Sequence, residues 1–274
     1  MVTRNSVYDK SYGDVHATVS CLAQEGLFSK GLDAIIRKPG NAARAIAALN
    51  REFKLNEVNK FFVDITTQLW RFEGMLPELR ELGFTLMDKS DEEILRELQE
   101  TAPDWPKGKR CFRFIQIREG EGDAGVQKTF DLHEQMMQQT FAPKWWRWDQ
   151  IKTDKNHLRL LAGNSTHKSC FGWVCADMDA HRQRDSITAV RSDDSLSDEL
   201  LAFCWQFPGY CKAIDYEDSP GLFAGGYELS VEGYEDWGGV PLVYRRLHTG
   251  KVQLNAYNRS NDYFNDSAPS LLRE

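Results

Sequence analysis

The sequence has no apolar run approaching the roughly 18 residues of a membrane-spanning helix, so no membrane insertion is expected. Its first residues, Met1-Val2-Thr3-Arg4-Asn5-Ser6, lack the apolar centre of a secretory signal. Positive charge is not in excess. Lys and Arg number 34 against 41 Asp and Glu, a net charge of -7. A nucleic-acid coat must neutralise phosphates with a positive face, so nucleic acid is not the expected partner. Cysteine is sparse, six residues scattered through 274. That usage fits reduced thiols in a cytoplasm rather than a disulfide framework.

Internal repeats and low-complexity tracts are also missing. The Gly-rich stretch Glu119-Gly120-Glu121-Gly122-Asp123 is followed by no phosphate-loop or dinucleotide fingerprint, and its acids would repel a phosphate. It reads as a turn. His167, Cys170, Cys175 and His181 are zinc-ligand types, but zinc knuckles pair ligands two to four residues apart, twice over. Asp177-Met178-Asp179 reads as a solvated strand exit, since a magnesium site needs further oxygens. Neither a metal nor a cofactor is therefore expected.

What is present is ordinary globular material. Hydrophobic residues make up 41% and charged residues 27%, with length enough to bury a core. The clearest pattern lies between Leu222 and Tyr257. Tyr227, Leu229 and Val231 alternate with Glu228 and Ser230. Leu242, Tyr244 and Arg246 alternate with Val243 and Arg245, and Val252, Leu254 and Ala256 with Gln253 and Asn255. Alternation with period two describes half-buried strands. His248-Thr249-Gly250 has the length and late glycine of a hairpin loop. The stretch therefore predicts an antiparallel meander.

Other segments carry helix signals. Asn41 caps a segment with Ala42, Ala45, Ile46, Leu49 and Phe53 on one face. Asn56 caps another with Val58, Phe61, Phe62, Ile65, Leu69 and Trp70 inward, although residues 61–67 also suit a strand. Pro77 suits a helix start and Gly83 a helix end. Ser90 and Glu93 form a capping box before Ile94, Leu95 and Leu98. Arg110–Arg118 reads as a strand and Lys128–Phe141 as a helix. His157–Ala162 and Cys170–Met178 read as two strands joined by a turn. Ser197 caps a helix that buries Leu200, Leu201, Cys204 and Phe207, and Pro208 breaks it. The tail after Ser260 reads as polar and partly ordered. The fold class is α+β: a helical N-terminal part, residues 1–105, and a mixed part, 106–274, with an antiparallel sheet packed against helices. The boundary falls in the Pro-rich loop around Trp105.

The run LAFCWQFPGYCKAID, then GLFAGGYELSVEG, WGGVPLVYRR and VQLNAY, resembles a group of uncharacterised proteins common in bacteria with very reduced genomes. There, too, a helix with a Phe-Pro break leads into an apolar strand pair. The likeness spans residues 157–260. No activity is attached to that group, so the resemblance implies a bacterial cytoplasmic protein and no site residues.

Two constellations point to function. Lys144, Trp145, Trp146, Arg147 and Trp148 form the densest aromatic cluster, and residues 144–159 carry five cations against two acids. Exposed tryptophans among cations anchor a protein or small-molecule partner. Packed tryptophans with a solvated cationic rim are the alternative. The second constellation is a Cys–His nucleophile, Cys211 beside His248, which would make the protein a cysteine-dependent hydrolase. Cys21 with His16 is the other such pair. Binding through the Trp/Arg patch is the leading reading.

Overall fold

The structure is a computed structural model. It describes residues 59–149, 151, 158–161, 167–182, 186–216, 219–231, 234, 237–260 and 266–272. The chain divides into two units, Met1–Val58 and Asn59–Glu274, and every described residue lies in the second. The Asn41-capped segment, Asn56 with Val58, and the Cys21–His16 pair fall outside the described residues.

The second unit is α+β. The described helices are α1 (Ile65–Leu82), α2 (Asp91–Glu100), α3 (Gly122–Phe141), α4 (Ile187–Val190), α5 (Asp198–Gln206) and α6 (Pro208–Lys212). The strands are β1 (Cys111–Arg118), β2 (Trp145–Arg147), β3 (Leu158–Leu160), β4 (Cys170–Arg182), β5 (Gly221–Phe223), β6 (Tyr227–Leu229), β7 (Gly239–Arg246), β8 (Lys251–Asn258) and β9 (Asp266–Leu271). They form a single curled sheet in the order β1-β4-β9-β5-β7-β6-β3, with β8 on the other edge of β7 and β2 on β8.

The expected meander is there. β6, β7 and β8 run antiparallel, and Gly239–Arg246 pairs with Asn258–Lys251 throughout. Gly250 closes the hairpin at φ +66, donating its N–H to the Arg246 carbonyl at 2.8 Å. A left-handed backbone there suits glycine. The sheet as a whole is mixed, not antiparallel, because β2 pairs parallel with β8 and β5 pairs parallel with β9.

Other expectations are corrected. The two strands around 157–178 do not pair with each other. β3 pairs with β6, and β4 lies between β1 and β9. The tail after Ser260 contains β9, which joins the two halves of the sheet. Helix α1 starts at Ile65, capped by Asp64, and runs through Pro77 to the Gly83 cap. Its buried side chains are Gln68, Phe72, Leu76 and Leu79, while Phe62 and Trp70 are exposed. Residues 119–125 do not form a plain turn, since α3 already starts at Gly122. The capping box holds: Glu93 N–H donates to Ser90 Oγ, and Ser90 N–H to the Glu93 carboxylate.

The boundary drawn at 105/106 falls inside the second unit. Trp105 packs against Phe112 and Phe207 at 6.0 and 6.1 Å between ring centroids. Phe112 also meets Phe203 at 4.8 Å and Tyr210 at 5.6 Å. This aromatic cluster ties the Trp105 loop, β1, α5 and α6 into a single core. Helix α5 is buried on every side from Asp198 to Trp205, which a one-face reading of its period could not show.

Among the described strands β1 is an edge, and side chains meet its outward carbonyls and the Ile115 N–H. Asn59 Nδ2 donates to the Cys111 carbonyl at 2.7 Å, and Gln68 Nε2 to the Arg113 carbonyl at 2.7 Å. Gln206 accepts from Ile115 N–H at 2.9 Å and donates to the Ile115 carbonyl at 2.6 Å. His133 Nε2 meets the Ile117 carbonyl at 2.8 Å. Alternate residues of an edge strand point their N–H and C=O groups outward. Here those groups are buried, so each must find a partner.

Candidate functional site

The Trp-rich stretch is where the chain leaves α3 and enters the sheet. Pro143 lacks the N–H that another helical turn would need, and β2 then runs alongside β8. Val252 N–H donates to the Lys144 carbonyl at 3.0 Å, and Trp148 N–H to the Leu254 carbonyl at 2.9 Å. This pairing lays the tryptophans against the core. Trp145 stacks on Phe141 at 6.2 Å, and Trp148 meets Tyr234 at 6.4 Å. Trp146 is half-buried. Arg147 Nε pairs with Glu134 at 2.9 Å. Trp145 and Trp148 are thus packed against the core and Trp146 is half-buried, so the three do not form a row of exposed platforms.

Lys144 stays at the surface and faces a cleft. The cleft has a volume of about 400 Å³ and is lined by Phe141, Pro143, Lys144, Lys212, Arg245 and Val252, among others. The cations come from three segments: Lys144 before β2, Lys212 at the end of α6 and Arg245 on β7. Arg245 Nη2 and Lys144 Nζ both approach Gly250, lying 3.7 and 3.8 Å from where a Cβ on it would stand. Lys212 Nζ sits 5.8 Å from the centroid of the Phe141 ring. None of the three has an ion-pair partner among the described residues; Arg245 Nη1 reaches only the Ile214 carbonyl, at 3.5 Å. The lining therefore combines an apolar wall with three positive charges that no carboxylate among the described residues neutralises. That arrangement suits an anion with an apolar body.

Cys211 and His248 are not brought together. Cys211 is fully buried, and its Sγ reaches the Cys204 carbonyl at 3.8 Å. His248 is exposed in the β7–β8 turn, and no hydrogen bond joins the two. A nucleophilic thiol needs a base within reach and access for substrate. Cys211 instead packs as a small hydrophobe.

The zinc-type residues are also apart. His167 is buried, its Nε2 3.0 Å from Thr129 Oγ1. Among the described residues no group of three or more His, Cys, Asp or Glu side chains is placed to hold a metal. Asp179 meets Arg110 Nη1 at 2.6 Å.

A buried ionic centre escaped the sequence reading. Arg118 Nε reaches Asp198 at 3.1 Å, and its Nη2 reaches Glu199 at 2.7 Å. Gln116 Nε2 donates to both carboxylates, and Ser197 Oγ lies 3.0 and 2.8 Å from them, its single O–H donating to one at a time. Burial pushes the Asp198 carboxyl up, but Arg118 outweighs it and holds the group below its usual value. Burial and the neighbouring Asp198 charge push Glu199 up. Burial keeps His133 neutral, lowering its pKa, and it accepts Trp205 Nε1–H at 3.0 Å. The centre is largely buried, and it fastens α5 to β1 and α3.

The sequence did contain one pointer to the cleft, Lys144. Lys212 and Arg245 carry no local signal, being single cations on a short helix and a strand. Comparison with protein-family models, with curated proteins and with solved structures finds no match to this chain.

Proposed function

We propose that this protein acts by binding, and that the cleft between the end of α3, α6 and the β7–β8 hairpin holds a small anionic molecule. The observation that supports this is the convergence of Lys144, Lys212 and Arg245 with no opposing carboxylate among the described residues. The net charge of -7 makes such a positive concavity stand out as a local attractor for anions. The volume lies within the range of small-molecule sites. Phe141, Pro143 and Val252 supply the apolar side, and the cations fix the charged end.

Calorimetric titration with pyrophosphate and with citrate at low ionic strength tests the reading. Binding of at least one is expected, weakened about tenfold in K212Q and again in R245Q, since each lost charge-assisted contact is worth about 1.5 kcal/mol or more. Absence of heat with both anions overturns the reading, as does unchanged affinity in the double variant. An acidic protein that binds while the small anions do not would mean the cleft serves a macromolecular partner.

A further inference from the structure

Glu228, on β6, is buried and surrounded by three arginines from three other segments. Arg191 Nη1 and Arg259 Nη1 reach its Oε1 at 3.0 and 2.8 Å. Arg159 Nε and Nη2 both reach its Oε2 at 2.8 Å. Both carboxylate oxygens are thus taken, and among the described residues the cluster keeps two positive charges in excess. Arg159 is further held over the Trp237 ring, its guanidinium carbon 4.1 Å from the centroid.

The edges of these guanidinium groups are used unequally. Arg159 turns its Nε/Nη2 edge onto Glu228. Arg118, elsewhere, turns the same edge onto Asp198 and Glu199. In Arg191 that edge is unfilled: neither Nε nor Nη2 has a hydrogen-bond partner among the described residues, and the side chain is only 7% exposed. Burying a guanidinium with its bidentate edge unfilled is costly, because the lost hydration is not replaced. This is also the edge whose geometry matches two oxygens of a phosphate or carboxylate. Arg159 and Arg259 expose 44% and 26% of their side chains, so the cluster reaches solvent on their side.

We propose that this cluster is a second anion site, in which a phosphate dianion takes the open edge of Arg191 and is flanked by Arg159 and Arg259. Two excess charges match a dianion better than a single carboxylate. The site is independent of the cleft at Lys144, which shares no residue with it.

The test uses the full chain carrying K144Q and K212Q, so that the cleft contributes little. Its melting temperature is compared in inorganic phosphate and in sodium chloride of equal ionic strength, at pH 7.5. A rise of several degrees in phosphate is expected, and it should vanish when R191K is added, because lysine keeps the charge but not the paired donors. If R191K does not fold, R159Q at the more exposed position replaces it and should weaken phosphate binding about tenfold by calorimetry. Equal melting in the two salts overturns the proposal and leaves the cleft reading standing. So does a phosphate effect that survives R191K or, where that chain does not fold, R159Q.

Discussion

Glu134 shows how a single buried carboxyl sets pH dependence. Burial pushes its pKa from 4.5 to about 7, against the pull of Arg147. The folded chain therefore holds this proton more tightly than the unfolded chain. The associated stability is fully present below the unfolded value, near 4.5, and is lost as pH rises through about 7. The shift corresponds to roughly 3 kcal/mol. Urea unfolding at pH 5 and pH 8 checks this. The wild type is expected to lose more stability across that interval than E134Q, by about that amount. Asp266, pushed up by burial to about 6, acts in the same direction in both proteins and cancels in the comparison. If the two chains lose equal stability, the carboxyl titrates normally.

At the scale of elements, the edge of β1 matters most. A strand edge inside a protein needs partners for every outward N–H and C=O. Here Asn59, Gln68, Gln206 and His133 supply them for four carbonyls and the Ile115 N–H. Gln206 serves both backbone groups of Ile115. Q206A leaves both unpaired, and a cost of roughly 2–3 kcal/mol is expected from the two lost bonds. Chemical denaturation measures it. A loss below about 0.5 kcal/mol, the scale of an indifferent surface change, would mean water takes the place of the amide. These glutamines and asparagines were invisible as edge caps from the sequence. Nothing local distinguishes a polar residue on a helix surface from one that reaches a strand 45 residues away, as Gln68 does. By contrast, the Ser90–Glu93 box and the Gly83 cap were legible, because their partners lie within four residues.

At the scale of the whole molecule, β9 is the joint. It pairs antiparallel with β4 and parallel with β5. Without it the sheet order β1-β4-β9-β5-β7 separates into two halves. A chain ending at Ser260 is therefore expected to lose its cooperative thermal transition, followed by near-ultraviolet circular dichroism. A truncated chain that melts in a single transition at the wild-type temperature would show that the two halves cohere through the helices alone. β9 reads DSAPSL, with two serines, an aspartate and Pro269. Its strand character comes from neighbours on both sides and not from its own composition, which strand propensity disfavours.

The same division holds for the candidate site. Lys144 was visible as part of a dense local cluster. Its tryptophans were visible too, but their exposure depended on whether another strand would cover them, and β8 does. Lys212 and Arg245 joined Lys144 only once the chain had folded. The amino-acid order alone determined the features whose causes are short-range: alternation in the β6–β8 meander, the glycine of its hairpin, the Gly83 end of α1 and the capping box of α2, and the α+β class. Tertiary structure decided which strands pair, which tryptophans are covered, which thiol is sealed inside, and which cations meet. Those outcomes depend on contacts between residues far apart along the chain, and such contacts form only when burial of apolar surface draws the segments together.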